Sequence, residues 1–126
     1  MTTGVSLAAG GGTWSSLSDR NLKNNVTVLD DESILNRVAM MPITEWSYIS
    51  EPGVRHVGPM AQDFYAAFGV GEDNRHVTSI DEDGVALAAI KALHHQRVRD
   101  EQRIATLEKQ LAETNARLAQ LAKRIR

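Results

Sequence analysis

The sequence predicts an α+β protein that is mostly helical: a small globular domain with short strands, followed by a long C-terminal helix. Residues 85–126 contain neither Gly nor Pro, so nothing there interrupts a helix. All three prolines lie between positions 42 and 59, where short apolar runs alternate with polar residues. Such runs are typical of short strands and turns.

The composition limits the classes of function. An apolar fraction of 42% is enough for a core, but 5% aromatic residues make a sparse one, which oligomerisation often supports. The absence of Cys excludes disulfides and thiolate metal sites. No apolar run is long enough to span a membrane, no secretory signal is visible, and a net charge of −2 gives no drive toward nucleic acid. We expect no nucleic-acid, membrane or small-molecule partner and no cofactor.

The charge is unevenly placed along the chain. Residues 1–90 carry 5 Lys and Arg against 12 Asp and Glu, whereas residues 91–126 carry 9 against 4. A basic DNA-binding helix needs a dense basic block before its heptads, and here Asp100 and Glu101 interrupt that block. The basic end is therefore interpreted as a solvated helix face.

The first elements follow from short local signals. Val5 and Leu7 can begin a strand, and the three glycines at 10–12 would end it. Residues 1–17 are therefore interpreted as a linker or as the last strand of an upstream β-structured domain. Residues 26–29 are β-prone. A helix is expected over residues 32–40, with acidic residues before it as cap candidates and Pro42 as its stop.

The middle of the sequence predicts a hairpin and a second helix. Residues 45–49 alternate as a strand, residues 51–53 are a turn signal, and residues 54–57 return as the second strand. The helix is expected to begin at Pro59 and to end at Gly69.

The last elements before the C-terminal helix are a loop and a strand. Residues 70–75 read as a polar loop and residues 76–80 as a short strand. Asp81 or Asp83 is the expected cap of the long helix, which from about residue 83 would be on the order of 65 Å long.

Seven residues of that helix form a strict heptad pattern with spacings of 3 and 4, which we call the seam. The seam consists of Ile104, Leu111, Leu118 and Ile125 at a positions and Leu107, Thr114 and Leu121 at d positions. So narrow a stripe predicts a parallel coiled coil, and the residue types allow two or three strands. The same register places Arg97 and Asp100 at core positions, so we expect the seam to be polar there or to shift at Val98.

A hydroxyl and an amine stand five residues apart, at Ser18 and Lys23. A serine attacks a carbonyl when a base takes its proton, and a lysine serves as that base when it is neutral, which desolvation favours. Taken alone, this spacing is typical of a solvated turn.

Three blocks of sequence resemble the endosialidase-type intramolecular chaperone domain, which ends phage tailspikes and tail fibres and has a relative in the myelin regulatory factors. The first block covers residues 18–26, the second residues 55–64, and the third residues 80–93. One departure is Asn24, where the family often has Glu.

The resemblance implies both a role in the assembly of an upstream domain and a chemical reaction. Three copies would assemble, align an upstream fibre domain, and cut between Leu17 and Ser18, with Ser18 as nucleophile and Lys23 as general base. Asp19, Arg20 and His56 are candidate supporting residues. The implied organisation is residues 1–17 as the end of an upstream domain, 18–93 as the chaperone domain, and 94–126 as the trimerisation helix.

Metal binding is the other chemistry that the four histidines raise. No pair lies at i, i+4 on a helix with a carboxylate partner, and His94 and His95 are adjacent, so they point to different sides. We therefore predict no metal site, and His56 is of interest only through its place in the second block.

Two other functions stay open. The domain could trimerise a fibre or surface protein without cutting, or bind at a fibre tip through loops near Glu51 and Glu72. The resemblance places the protein in a virion tail fibre or tailspike, or at the bacterial surface or in the cytoplasm during assembly.

Overall fold

The computed structural model describes residues 4–125 and shows an α+β fold made of two separate antiparallel hairpins and three helices. The strands are β1 (Val5–Leu7), β2 (Trp14–Ser16), β3 (Thr44–Tyr48) and β4 (Glu51–Gly58). The helices are α1 (Asp31–Met40), α2 (Ala61–Phe68) and α3 (Ser79–Ile125). The predicted α+β class and the long C-terminal helix are confirmed.

The leader forms a hairpin where the sequence predicted one strand. β1 pairs with β2, and Val5 stands opposite Ser16. The connecting turn has a bond from the Gly11 amide to the Ala8 carbonyl at 2.9 Å. Gly10 has a φ of 78°, which a type II turn requires at its third position and which glycine adopts without strain. The glycines thus reverse the chain instead of only ending a strand.

Helix α1 matches its prediction closely. The Asp30 carboxylate accepts a hydrogen bond from the Ser33 amide at 3.2 Å, which caps the helix, and the helix ends at Met40, before Pro42. Its apolar face is half-buried against α3, and the Asp31 carboxylate pairs with the Lys91 amine at 3.2 Å. Helix α1 therefore fixes the first part of α3 to the domain.

The predicted strand over residues 26–29 is wrong. These residues form no regular secondary structure and pair with no strand among the described residues, and Val28 is 97% exposed. β-propensity describes how well side chains suit a pleated sheet. A strand also needs a neighbouring strand with free backbone groups, and the described residues provide none beside residues 26–29.

The β3–β4 hairpin turns earlier than predicted. Tyr48 pairs with Glu51, so residues 49 and 50 form the turn, and residues 51–53 belong to β4 instead of to the turn. Pro52 is tolerated because a two-stranded hairpin has only edge strands. Arg55 on β4 donates to the Glu45 carboxylate on β3, from Nε at 2.8 Å and also from Nη2.

Two helix starts also differ from prediction. Helix α2 begins at Ala61, not at Pro59, although Gly69 ends it with a φ of 62° as expected. The strand predicted over residues 76–80 is absent, because Thr78 caps α3: its hydroxyl donates to the Asp81 carboxylate at 2.7 Å and accepts from the Asp81 amide at 3.2 Å. The cap is thus Thr78, not Asp81 or Asp83.

The core is small and lies where α1 packs against α3 and α2. Its buried residues are Phe64, Ala88, Ala89 and Ala92. Helix α3 has 47 residues, about 70 Å, and runs without a break through the predicted boundary at residue 94. No helix among residues 4–125 combines the length and apolar character needed to cross a membrane.

Candidate active site

The Leu17–Ser18 peptide bond follows directly after strand β2, at the open end of the leader hairpin. The Leu17 amide donates to the Gly4 carbonyl at 2.9 Å, which extends the hairpin by one bond beyond the Val5–Ser16 pair. The nitrogen side of Leu17 is therefore fixed, and its carbonyl is presented at the point where the chain leaves the hairpin.

A single turn of 3₁₀ helix, Arg20–Leu22, reverses the chain immediately after Ser18. The Asp19 carboxylate accepts from the Asn21 amide at 2.9 Å and from the Asn21 side chain at 3.0 Å. The Leu22 amide also donates to the Asp19 carbonyl at 3.1 Å, and the Lys23 amide donates to the Arg20 carbonyl at 3.2 Å. Asp19 thus holds the turn that brings residue 23 back toward residue 18.

Ser18 and Lys23 meet as a result: Lys23 Nζ lies 2.6 Å from Ser18 Oγ. This distance is within the range in which a general base takes a proton from a nucleophile. Both side chains are exposed in the protomer. We call this pair the dyad.

A shallow depression of about 510 Å³ borders the dyad. It is lined by Asn21, Leu22, Lys23, Asn24 and Val26. Asn24, the position that departs from the family pattern, therefore faces the same depression as the proposed base. Asn25 next to it has a φ of 51°, a left-handed conformation that asparagine tolerates better than most residues.

His56 lies elsewhere in the fold, in the β3–β4 hairpin. Its ring stacks on Trp46 with centroids 4.8 Å apart and contacts the Tyr48 ring edge-on at 5.5 Å. Its buried Nε2 has no hydrogen-bond partner among the residues that the structure describes. Its contacts are those of a packed aromatic cluster, and a role for His56 at the dyad stays a prediction.

The seam residues are all exposed, since no other element within residues 4–125 covers this part of α3. Of the apolar ones, Leu107 is 50% and Ile125 86% exposed. The coiled coil itself stays a prediction, since the structure contains one chain.

Sequence reasoning missed a larger cavity of about 840 Å³ beside the β3–β4 turn. Trp46, Tyr48 and Met60 line its apolar side, and Arg75 and Glu82 lie on its polar side. The alternation of Trp46 and Tyr48 was the only signal for it in the sequence. The dyad does not line this cavity, so the two sites are separate.

Asp73 and His76, which lie outside the dyad, make structural contacts. Hydrogen bonds from the Arg75 amide and from the His76 ring lower the pKa of Asp73, and these bonds close the loop before α3. Within residues 4–125, no group of three or more His, Asp or Glu side chains is placed to hold a metal ion.

The family comparison agrees with the first two blocks of the resemblance. Residues 18–70 match the model of a peptidase family described as chaperone of endosialidase. The match begins at Ser18 and includes the whole dyad turn and the β3–β4 hairpin. The third block, residues 80–93, lies beyond the matched range. The chain has no match among the curated proteins.

Proposed function

We propose, from the match of residues 18–70 to the endosialidase chaperone family, that this chain is a C-terminal intramolecular chaperone that removes itself by autoproteolysis. Three copies assemble through the seam and align the upstream fibre or tailspike domain to which they are joined. The chain is then cut between Leu17 and Ser18. The partners are thus two further copies and the upstream part of the same polypeptide.

The observation that carries the proposal is the 2.6 Å distance from Lys23 Nζ to Ser18 Oγ. Ser18 directly follows Leu17, whose amide is hydrogen-bonded in the leader hairpin. In the reaction, neutral Lys23 takes the proton of Ser18, and Oγ attacks the Leu17 carbonyl carbon. The C–N bond breaks, its nitrogen receives the proton from Lys23, and an ester joins Leu17 to Oγ. Water then hydrolyses the ester, which leaves a Leu17 carboxylate and a free Ser18 amine and hydroxyl.

Exposure of the dyad supports a requirement for assembly. In the protomer both side chains are open to water, whereas desolvation favours the neutral form of a lysine. A neighbouring copy that covered the turn would exclude water and hold nucleophile, base and carbonyl at reacting distance, about 3–3.5 Å. The proposed cut thus follows assembly and cannot precede it.

The proposed role explains why a single turnover is enough. Once the upstream trimer has formed, removal of the chaperone takes away its refolding route and leaves a kinetically trapped fibre. The protein would therefore act during the assembly of a virion tail fibre or tailspike, or of a bacterial surface fibre.

A second function needs only the seam: a trimerisation domain that never cuts. It is favoured by the exposure of the apolar seam, which no other element within residues 4–125 covers whether or not the dyad reacts. The third function, a binding module at a fibre tip through loops near Glu51 and Glu72, is weakened because Glu51 is part of β4. Glu72 does lie in an exposed loop, so this function stays a prediction.

Intact denatured mass distinguishes the two functions. In a trimer that carries its upstream domain, wild type is expected to yield a new fragment that begins at Ser18, at a first-order rate independent of concentration. Ser18→Ala is expected to stay full length and to fold normally, and Ser16→Ala, a matched serine in β2, to cut as usual. A wild-type trimer that stays uncut at neutral pH would make the non-cutting function the correct one.

A further inference from the structure

The exposed apolar face of α3 begins well before the seam. Ile90 and Leu93 are 61% and 53% exposed, although they lie beside the buried alanines of the core. They continue the heptad register of the seam, Ile90 at an a position and Leu93 at a d position. We call Ile90, Leu93, Arg97 and Asp100 the upper seam.

The opposite side of α3 is already occupied within the protomer. Ala88 and Ala92 are buried, and Lys91 and Arg99 pair with the acidic residues Asp31 and Glu32 at the start of α1. These contacts direct the upper seam away from the domain. The heptad register of α3 does not shift at Val98. Val98 is half-buried in the protomer, whereas Ile90 and Leu93, which fit the unshifted register, are exposed.

We propose that Arg97 and Asp100 form one charge-paired layer between copies of this chain, which fixes a parallel arrangement without offset. This inference rests on the proposed self-association. Arg97 at a and Asp100 at d stand on successive levels of the helix, about 4.5 Å apart, so at a trimer axis three guanidinium groups lie one level from three carboxylates and the net charge of this layer is zero. A polar residue at an otherwise apolar a position specifies register at a cost in stability.

Other arrangements leave these charges without partners. A slip of one heptad sets Arg97 against Ile90 or Ile104, and full antiparallel overlap of residues 90–125 sets Arg97 against Leu118. A charge buried without a counter-charge is strongly destabilising. The parallel arrangement without offset is therefore the one that satisfies the layer, and it also brings the three dyads to the same level along the axis.

The competing explanation is a surface pair within one helix. Arg97 Nη1 lies 3.3 Å from Glu101 Oε1, and both side chains are more than half exposed. Such i, i+4 pairs contribute only a few tenths of a kcal/mol. Glu101→Gln removes this pair and leaves the layer intact, so it separates the two explanations.

The test is a mixing experiment followed by light scattering and sedimentation. Arg97→Asp and Asp100→Arg each create a layer of like charges, so each variant alone is expected to be monomeric at micromolar concentrations at which wild type is trimeric. Mixed together, they are expected to form trimers that contain both chains. The swap Arg97→Asp with Asp100→Arg in one chain is expected to restore the trimer.

Controls keep the outcomes distinct. Lys109→Asp reverses a charge on the outer face of the coiled coil and is expected to leave the trimer unchanged, as is Glu101→Gln. If wild type is trimeric and both single reversals stay trimeric, or their mixture shows no preference for mixed trimers, the charged layer is refuted while the proposed function stands. If wild type itself is a monomer, the proposed trimer is refuted first.

Discussion

The dyad and the seam differ in how much of their structure a single chain can complete. The dyad closes within six residues: one capped turn places Lys23 Nζ 2.6 Å from Ser18 Oγ. The seam extends over residues 104–125, and no other element within residues 4–125 covers it. Local hydrogen bonds therefore suffice to bring Ser18 and Lys23 together, whereas the proposed coiled coil obtains its burial from other copies. In the proposed function, the reaction and its trigger thus lie in different parts of the molecule.

Breaking the seam should have the largest effect, because it removes assembly and cutting together. Each buried seam leucine contributes roughly 1.5–3 kcal/mol, and Asp in its place adds a charge to the interface. Leu111→Asp with Leu118→Asp is expected to give monomers by light scattering and no fragment by mass. The matched control places Asp at Ala112 and Ala119, off the seam, and should remain trimeric. Full cutting by the monomeric variant would show that the dyad does not need assembly.

Changing the base should remove cutting alone. Lys23→Arg keeps the positive charge but cannot deprotonate at neutral pH, so it cannot take the Ser18 proton. The trimer is expected to persist by sedimentation, with only full-length chain in the mass spectrum. Normal cutting in this variant would mean that another group, such as His56, is the base.

Loosening the turn should have the smallest effect. Asp19 and Asp30 each cap a helical turn through a side-chain oxygen, but only Asp19 holds the dyad turn. Loss of such a cap costs about 1 kcal/mol, so Asp19→Ala is expected to slow cutting about fivefold. Asp19→Asn keeps an acceptor and should restore the rate.

Asp30→Ala is the matched control for the turn, since it removes an equivalent cap from α1. It is expected to lower the melting temperature by several degrees without slowing the cut at saturating assembly. If Asp19→Ala and Asp30→Ala slowed the cut equally, both residues would act through general stability, and Asp19 would have no special role in positioning the dyad.

The sequence predicted what depends on neighbours along the chain. Asp30 and Pro42 mark the ends of α1 within a residue or two, Gly69 ends α2, and the seven seam residues follow from spacing alone. The position of Lys23 beside Ser18 was also within reach, since only five residues separate them and a capped turn can close that distance. Whether the pair reacts and whether the seam assembles are still predictions.

The wrong predictions concern segments whose structure depends on which other residues they contact. Residues 26–29 have strand-forming side chains, but among the described residues they pair with no strand. The Thr78 hydroxyl accepts a hydrogen bond from the Asp81 amide, so α3 starts where a strand was expected. The β3–β4 turn moved to residues 49–50 because the register shifts between Trp46 and Tyr48, so that Tyr48 pairs with Glu51 instead of continuing the register of the Trp46–His56 pair. The hairpin register depends on which residues of the two strands meet, so propensity alone does not give it. The Thr78 cap is local, because Thr78 and Asp81 have the spacing of a capping box, and the strand prediction overlooked it.

The hydrogen bond from the Leu17 amide to the Gly4 carbonyl has a consequence for the direction of the reaction. Within the described residues, the backbone bonds of the leader hairpin stay inside residues 4–17, and those of the dyad turn begin at Asp19. A cut after Leu17 would break one covalent bond and no hydrogen bond. The new carboxylate would remain fixed in the hairpin while the new amine left with the turn. Religation, which needs both ends at reacting distance, would then lose its proximity, and diffusion would make the cut irreversible.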